Sequence, residues 1–329
     1  MVLCIAVAGL IIAAGCSDTT EKTVVNVVSA GSLLGPMETV EAEYEALHPE
    51  IDIRIEGHGS IQCIRQVTDL HRDFDVVIVA DESLIPDMMY IPREDGNGTY
   101  ATSYTPLARN EMVIAYTDLS LYADEMTDEN WIEILRRPDV RTGISNPMLD
   151  AAGYRGLMVL LLAENYYDTE GLFDTIISRN LAREPVVVRN GTSATVALPE
   201  IMRTSGPGLV IRDGSVYLLS LLEAGGVDYA FEYQSVAEEH GLRYISLPAE
   251  IDLSSPAYAD QYDDVSVALG FQRFTSIGSE RTGRPIVYGI TVPTTAPNPQ
   301  EGERFVAFVL QSMEAGYDTW PRPYSETEW

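Results

Sequence analysis

The sequence predicts an α/β fold with mostly parallel strands, and three observations carry that expectation. From Val24 onward, apolar strand-like runs alternate with stretches of helical periodicity, the order of elements that builds parallel sheets. Of the 329 residues, 46% are hydrophobic and 22% charged, which is enough apolar material for packed cores in about two domains. Glycine- and serine-bearing loops stand where strands hand over to helices, the edge at which open α/β sheets bind ligands.

The chain begins with an address. Residues 2–15, VLCIAVAGLIIAAG, carry no charge, are too short to span a bilayer comfortably, and end in small residues directly before Cys16. Residues 1–15 therefore read as a secretory signal whose end resembles a lipoprotein box. Cys16 would become the lipidated first residue of the mature chain, and residues 16–23 a tether. The alternative is an uncleaved anchor helix, and either way the protein sits outside the membrane. With Cys4 removed and Cys16 lipidated, Cys63 is left without a disulfide partner and suits a small buried site.

The elements follow in order. Val24–Val28 is an apolar strand; Ser29-Ala30-Gly31-Ser32 is its loop; Met37, Val40, Tyr44 and Leu47 then recur at helical spacing until His48-Pro49. Ile51, Ile53 and Ile55 alternate as a strand, Gly57-His58-Gly59-Ser60 leads into a helix with Ile61, Ile64, Val67 and His71 on one face, and Val76–Ala80 is a third strand. Residues 93–103 are polar and aperiodic, a long loop before the strand Met112–Tyr116. A helix around Trp131–Arg137 stops at Pro138, a strand near Val140–Ile144 ends at Ser145-Asn146-Pro147, and a long helix with Tyr154, Leu157, Leu161 and Leu162 begins after Asp150. Val227, Tyr229, Phe231 and Tyr233 alternate as a strand, and the strand Pro285–Val292 and helix Phe305–Ser312 close the pattern. Two sequons, at Asn97 and Asn190, would accept glycan where the machinery exists.

Composition excludes several functions. The 50 acidic residues against 21 basic ones give a formal charge of −29, which repels a phosphate backbone, so no nucleic-acid partner is expected. Lys22 is the one lysine, which removes Schiff-base chemistry, pyridoxal phosphate linkage and a Walker-type loop. The four histidines have no metal-motif spacing, and neither HExxH, CxxC nor GxSxG occurs.

What remains is hydroxyls and backbone amides at helix starts. Ser32 and Ser60 either cap their own helices or share an anion site, where free N–H groups and the helix dipole contribute ~0.3–1 kcal/mol per contact. Asp150 is either an N-cap or a ligand; a carboxylate beside an oxyanion repels it unless the anion's central atom accepts the carboxylate oxygen. Tyr166-Tyr167 suggests a ferric-iron phenolate site or, more plainly, two packed rings.

One resemblance is specific. Ala30-Gly31-Ser32-Leu33, Met88-Met89-Tyr90, the run Asn130-Trp131 through Arg141, Ser145-Asn146-Pro147 with Gly153-Tyr154-Arg155, Asp228-Tyr229 with Tyr233 through Ala237, Leu247 through Pro256, and Gly283 through Ile290 resemble the archaeal tungstate/molybdate-binding lipoproteins, the solute-binding component of an ABC importer. The resemblance covers about Val24 to Ser312. It implies a two-lobed periplasmic-binding-protein (type II) fold, each lobe a mixed sheet flanked by helices, with the oxyanion in the interlobe cleft. Lobe I would hold residues 24–108 and 239–329, lobe II residues 109–238, with crossings near Arg109–Tyr116 and Tyr233–Leu247 acting as a hinge.

The same resemblance implies that Gly31, Ser32, Ser60, Asp150, Ala151, Ala152 and Tyr233 hold the oxyanion, with two carboxylates completing near-octahedral coordination of its tungsten or molybdenum. The second carboxylate falls at Ser215, which cannot supply one. Asp213 after a local shift, Glu232, or a tetrahedral site with Ser215 as a donor are the alternatives, the last admitting sulfate. No cofactor and no free cation are implied; the partners are the importer's permease and ATPase, the oxyanion and the membrane, and the protein is expected to be a monomer. A ferric-iron or sulfate receptor of the same fold, or an extracellular hydrolase using Asp150 with Glu232, are the competing readings. Gly316–Trp329 departs from the family's continuation and receives no role.

Overall fold

The computed structural model describes residues 22–270, 280–317 and 319–328. The signal, Cys4 and Cys16 lie outside them. Among the described residues no helix is long and apolar enough to cross a membrane.

Two main sheets and a smaller one organise the chain. The first runs Arg322–Pro323, Thr105–Arg109, Val287–Thr291, Val76–Val79, Thr23–Ala30, Ile51–His58 in spatial order. The second runs Arg243–Ser246, Met112–Tyr116, Tyr229–Tyr233, Thr142–Ser145, Leu209–Arg212. The third runs Glu280–Thr282, Val265–Ala268, Ser193–Ala197, Val186–Asn190. Every sheet is mixed: Thr23–Ala30 pairs in parallel with both of its neighbours, whereas Val287–Thr291 is antiparallel to both of its own. The mostly parallel arrangement expected from element order is thus corrected to mixed sheets, because long-range returns place antiparallel strands beside the early βαβ units.

The chain passes from the first sheet to the second in two residues, Asn110 and Glu111, between Arg109 and Met112. The strand Arg243–Ser246 pairs with Met112–Tyr116, so the second sheet extends beyond position 238, where the sequence reading ended that lobe. The segment after it bonds to both sheets' strand starts: the Met112 N–H donates to the Asp252 carbonyl at 2.9 Å, and the Ile286 N–H, just before the first-sheet strand Val287–Thr291, to the Leu253 carbonyl at 2.8 Å.

Local chemistry explains most of the elements. The helix Leu34–Leu47 buries Met37, Val40 and Tyr44, but Leu47 is left exposed in its last turn. The helix Ser60–Thr68 buries Ile61, Ile64 and Val67 and ends before His71, whose φ of 50° turns its exposed side chain off the expected face. The helix Ala151–Tyr166 buries everything from Ala151 to Glu164, and each large apolar side chain so removed from water contributes about 1.5–3 kcal/mol. It is packed on all sides, so no polar stripe marks it. Cys63 is buried and free, as expected, and burial pushes its thiol pKa up.

Several elements escaped the sequence reading, three strands among them. Thr105–Arg109 carries Pro106, a poor strand residue, at the point where its register with Val287–Thr291 shifts. Val186–Asn190 and Ser193–Ala197 form a hairpin turning through Gly191 at φ 62°, so Asn190 marks a hairpin tip as well as a sequon.

Candidate functional site

Four strand-to-helix junctions meet between the first and second sheets. The first follows Thr23–Ala30, where Gly31–Leu33 forms a 3₁₀ turn ahead of the helix Leu34–Leu47. A Cβ on Gly31 would stand 3.1 Å from the Val216 side chain, so this loop presses on the start of the helix Val216–Glu223, which belongs to the opposite sheet's side. Ser32 is buried and caps nothing; its Oγ lies 3.0 Å from the Tyr288 hydroxyl.

At the second junction Gly59 precedes the helix Ser60–Thr68, and Gln62 Oε1 accepts from the Gly59 N–H at 3.3 Å. Ser60 is fully buried, and its Oγ accepts from the Ala80 N–H at 2.9 Å. The Ile61 and Gln62 N–H groups donate to the Leu149 carbonyl, at 3.1 and 3.2 Å. Those two amides, which the sequence reading left free for an anion, are therefore taken up by the facing loop. A Cβ on Gly59 would collide with the Leu149 carbonyl oxygen and come within 2.8 Å of the Asp150 Cβ, so only glycine permits this approach.

Asp150 stands before the helix Ala151–Tyr166 in extended backbone, with φ −137° and ψ 139°, but its side chain does not cap that helix. It is buried, and its Oδ2 accepts from the Ser215 N–H at 2.9 Å. Burial raises its pKa, opposed by that N–H, the Ser145 hydroxyl, the Ser60 N–H and, from its own helix, the Ala152 N–H, which approaches the carboxylate without completing a cap. Ala151 and Ala152 follow as the first, fully buried residues of the helix.

At the fourth junction Ser215, buried, precedes Val216–Glu223, and Asp213 lies exposed on the rim. The shift needed to bring Asp213 inward is absent. Glu232 is inside instead. It has no solvent exposure; Oε1 accepts from the Tyr233 N–H at 2.9 Å and Oε2 has no hydrogen-bond partner. Burial, and then the charge of Asp150, push its pKa up to about 8, opposed by the Tyr233 N–H and the Ser215 hydroxyl. Tyr233, also buried, accepts at its hydroxyl from Arg155 Nη1 at 2.7 Å.

Arg155 has no role in the sequence reading, though an arginine within the apolar run Ala151–Ala163 was a usable signal. It is 2% exposed, donates from Nη1 to the Ala80 carbonyl at 2.7 Å, and lies 3.8 Å from Asp81. Asp81 accepts from the Tyr154 hydroxyl at 2.6 Å; burial works to raise its pKa, but Arg155, Arg281 and its hydrogen bonds outweigh it and leave it below the usual range. Tyr288, Asn110 and Ser145 were missed as well, because neutral side chains carry no sequence signal of this kind.

The structure therefore gathers Gly31, Ser32, Ser60, Asp150, Ala151, Ala152, Ser215 and Tyr233 around one interlobe locus, and adds Glu232 and Arg155 to it. A depression of about 480 Å³ lined by His58, Gln62, Ile211, Arg212, Asp213 and Tyr217 lies at its mouth. Tyr166 and Tyr167 pack edge-on, ring centroids 4.8 Å apart, at the far end of the Ala151–Tyr166 helix, and no group of three or more His, Cys, Asp or Glu side chains suited to a metal ion occurs among the described residues.

The chain and its fold are matched by known proteins. Residues 25–315 match the bacterial extracellular solute-binding protein family. The chain belongs to that family. It is 40% identical over 302 residues to the molybdate/tungstate-binding protein WtpA of Thermococcus kodakarensis, covering 89% of this chain and 80% of that one. The WtpA of Pyrococcus abyssi is 39% identical over 304 residues, covering 90% and 83%. Among solved structures, the periplasmic molybdate-binding protein of Azotobacter vinelandii superposes with a TM-score of 0.52 at 14% identity, over 88% of this chain and 96% of that one. The sulfate-binding protein SubI of Mycobacterium tuberculosis gives 0.55 at 11% identity, over 93% and 88%. These two likenesses establish the α/β periplasmic-binding fold.

Proposed function

We propose that this solute-binding protein captures molybdate or tungstate between its lobes and delivers it to an ABC importer. The observation that carries the reading is Asp150: a buried carboxylate at the start of its helix, held by the Ser215 N–H from the facing loop and influenced by the Ser145 hydroxyl and the Ser60 and Ala152 N–H groups. A tetraoxyanion placed there meets donors and one carboxylate. That carboxylate repels sulfate, whose sulfur takes no further ligand, and is accommodated by tungsten or molybdenum, whose coordination expands. Glu232 supports the same reading by offering the second carboxyl that Ser215 lacks. Identity near 40% to two WtpA proteins over most of the chain points the same way.

Lobe I is taken as the first sheet with its helices and lobe II as the second, with Asn110–Glu111 and the region between Leu247 and Ile286 as crossings. The protein works as a monomer, tethered outside the membrane through a lipid on Cys16. Replacing Cys16 by Ser should release the chain into the medium; retention at the membrane would refute the tether.

Isothermal titration of the chain lacking residues 1–22 with tungstate, molybdate and sulfate tests the function. Tight binding of the first two and none of sulfate is expected, and equal or absent binding of all three would overturn it. Sulfate is the second reading, and Ser215 is the observation that favours it.

A further inference from the structure

We infer that Asn110, in the crossing between the two sheets, sets the hydrogen-bond polarity of the site by forcing the Ser32 hydroxyl to donate into the cleft. The inference rests on Ser32 contacting the oxyanion.

The orientation of the Asn110 amide is determined by its surroundings. Its Oδ1 accepts from two backbone N–H groups, Glu111 at 3.0 Å and Ser235 at 3.4 Å, so Nδ2 faces the other way. Nδ2 has two protons and accepts nothing. One goes to Ser235 Oγ at 2.8 Å, the other to the Tyr288 hydroxyl at 3.1 Å. Tyr288 is fully buried, and among the described residues the one further hydrogen-bond neighbour of its hydroxyl is Ser32 Oγ at 3.0 Å. With the Asn110 proton occupying a lone pair, the Tyr288 proton goes to Ser32, since a buried hydroxyl proton without an acceptor is costly. Ser32 Oγ then accepts from behind, and its own proton points forward.

Two other site hydroxyls share this arrangement directly. Ser60 Oγ is held by the Ala80 N–H and the Tyr233 hydroxyl by Arg155 Nη1, both obligate donors. At Ser32 the obligate donor stands one step back, with Tyr288 between. Asn110 is therefore a positioning residue: it never touches the anion, yet the sense of the chain depends on its nitrogen.

Asn110→Asp tests this. It keeps an oxygen for the Glu111 and Ser235 N–H groups and replaces the obligate donor by an acceptor; Tyr288 then donates to residue 110, Ser32 donates to Tyr288, and Ser32 shows lone pairs to the anion. Binding of tungstate and molybdate is measured by titration calorimetry at pH 8.5 in four proteins: wild type, Asn110→Asp, Ser32→Ala and the double variant. Asn110→Asp should lose roughly ten- to a hundredfold in affinity, the worth of one hydrogen bond to a charged group. In the Ser32→Ala background the same change should cost less than about threefold, whereas simple charge repulsion would persist in full, which is the readout that a merely structural role leaves unmoved.

Tyr288→Phe, which frees Ser32 without reversing it, should lose less than Asn110→Asp; should Asn110→Asp fail to fold, melting temperature being the check, Tyr288→Phe carries the test, because its loss should vanish in the Ser32→Ala background. Wild-type binding with full affinity in both single variants, or additive losses in the double variant, would overturn the inference. Absence of binding in the wild type would instead overturn the function on which it rests.

Discussion

Asp81 and Glu232 are both buried carboxyls on the walls of one cleft, yet their titration is displaced in opposite directions. Asp81 has Arg155, Arg281, Ser83 and Tyr154 around it, and these outweigh the burial that opposes its charge. Glu232 has the Tyr233 N–H on Oε1, no hydrogen bond at Oε2 and only the Ser215 hydroxyl besides, so burial and the like charge of Asp150 push its pKa up to about 8. Burial is common to both, and the number and sign of the partners decide the outcome. Asp81 is part of the frame that holds Arg155, while Glu232 keeps one oxygen without a partner.

The contrast can be broken most severely on the Asp81 side. Arg155→Met should destabilise the unliganded protein by ~3–5 kcal/mol, because it strands a buried carboxylate, and Asp81→Asn added to it should recover part of the loss. Denaturant midpoints of the three proteins check this, and a neutral Arg155→Met would show that Arg281 suffices for Asp81. Next in size, Asp150→Ala should lower tungstate affinity about a hundredfold, or ~3 kcal/mol, while sulfate gains relative to it. Unchanged titration isotherms would remove Asp150 from the site.

On the Glu232 side the effect is set by pH. Its pKa is about 8 in the fold against an ordinary 4.5, so between those values the folded chain keeps a proton that the unfolded chain has released. Stability is complete below the ordinary value and is lost as pH rises through the folded one, at up to about 1.4 kcal/mol per pH unit. Melting of the unliganded protein should therefore fall from pH 5 to pH 8 by more than it does in Glu232→Gln, and parallel curves would refute the raised pKa. A smaller loss, about tenfold in affinity, is expected for Gly59→Ala, whose methyl keeps the Ser60 loop from meeting Leu149 and Asp150; a fixed pair of fluorophores across the lobes should report incomplete closure. Tyr166→Phe should change nothing measurable in oxyanion binding, and a loss would reopen the phenolate reading.

The α/β class and the early elements are legible in the chain because burial imposes periodicity: Met37, Val40 and Tyr44 at helical spacing, and Ile51 and Ile53 alternating, all lie in the core. The strand Thr105–Arg109 was illegible because Pro106 contradicts it, and Leu47 and His71 were misplaced because helix ends depend on caps and turns that three-residue spacing ignores. The site divides in the same way. Gly31, Ser32, Ser60 and Asp150 are visible as residues at strand-to-helix junctions, a position that order along the chain reveals.

Sequence order alone thus specified which loops would stand at one sheet edge, since hydrophobic periodicity and turn residues are properties of neighbours along the chain. The tertiary structure decided what each loop does there. It gave the Ser60 helix amides to Leu149, turned Asp150 towards Ser215, left Glu232 rather than Asp213 inside, and joined Ser32 to Asn110 across 78 positions of sequence through Tyr288. Hydrogen-bond partners and desolvation act through space at about 3 Å, and no pattern along the chain encodes them.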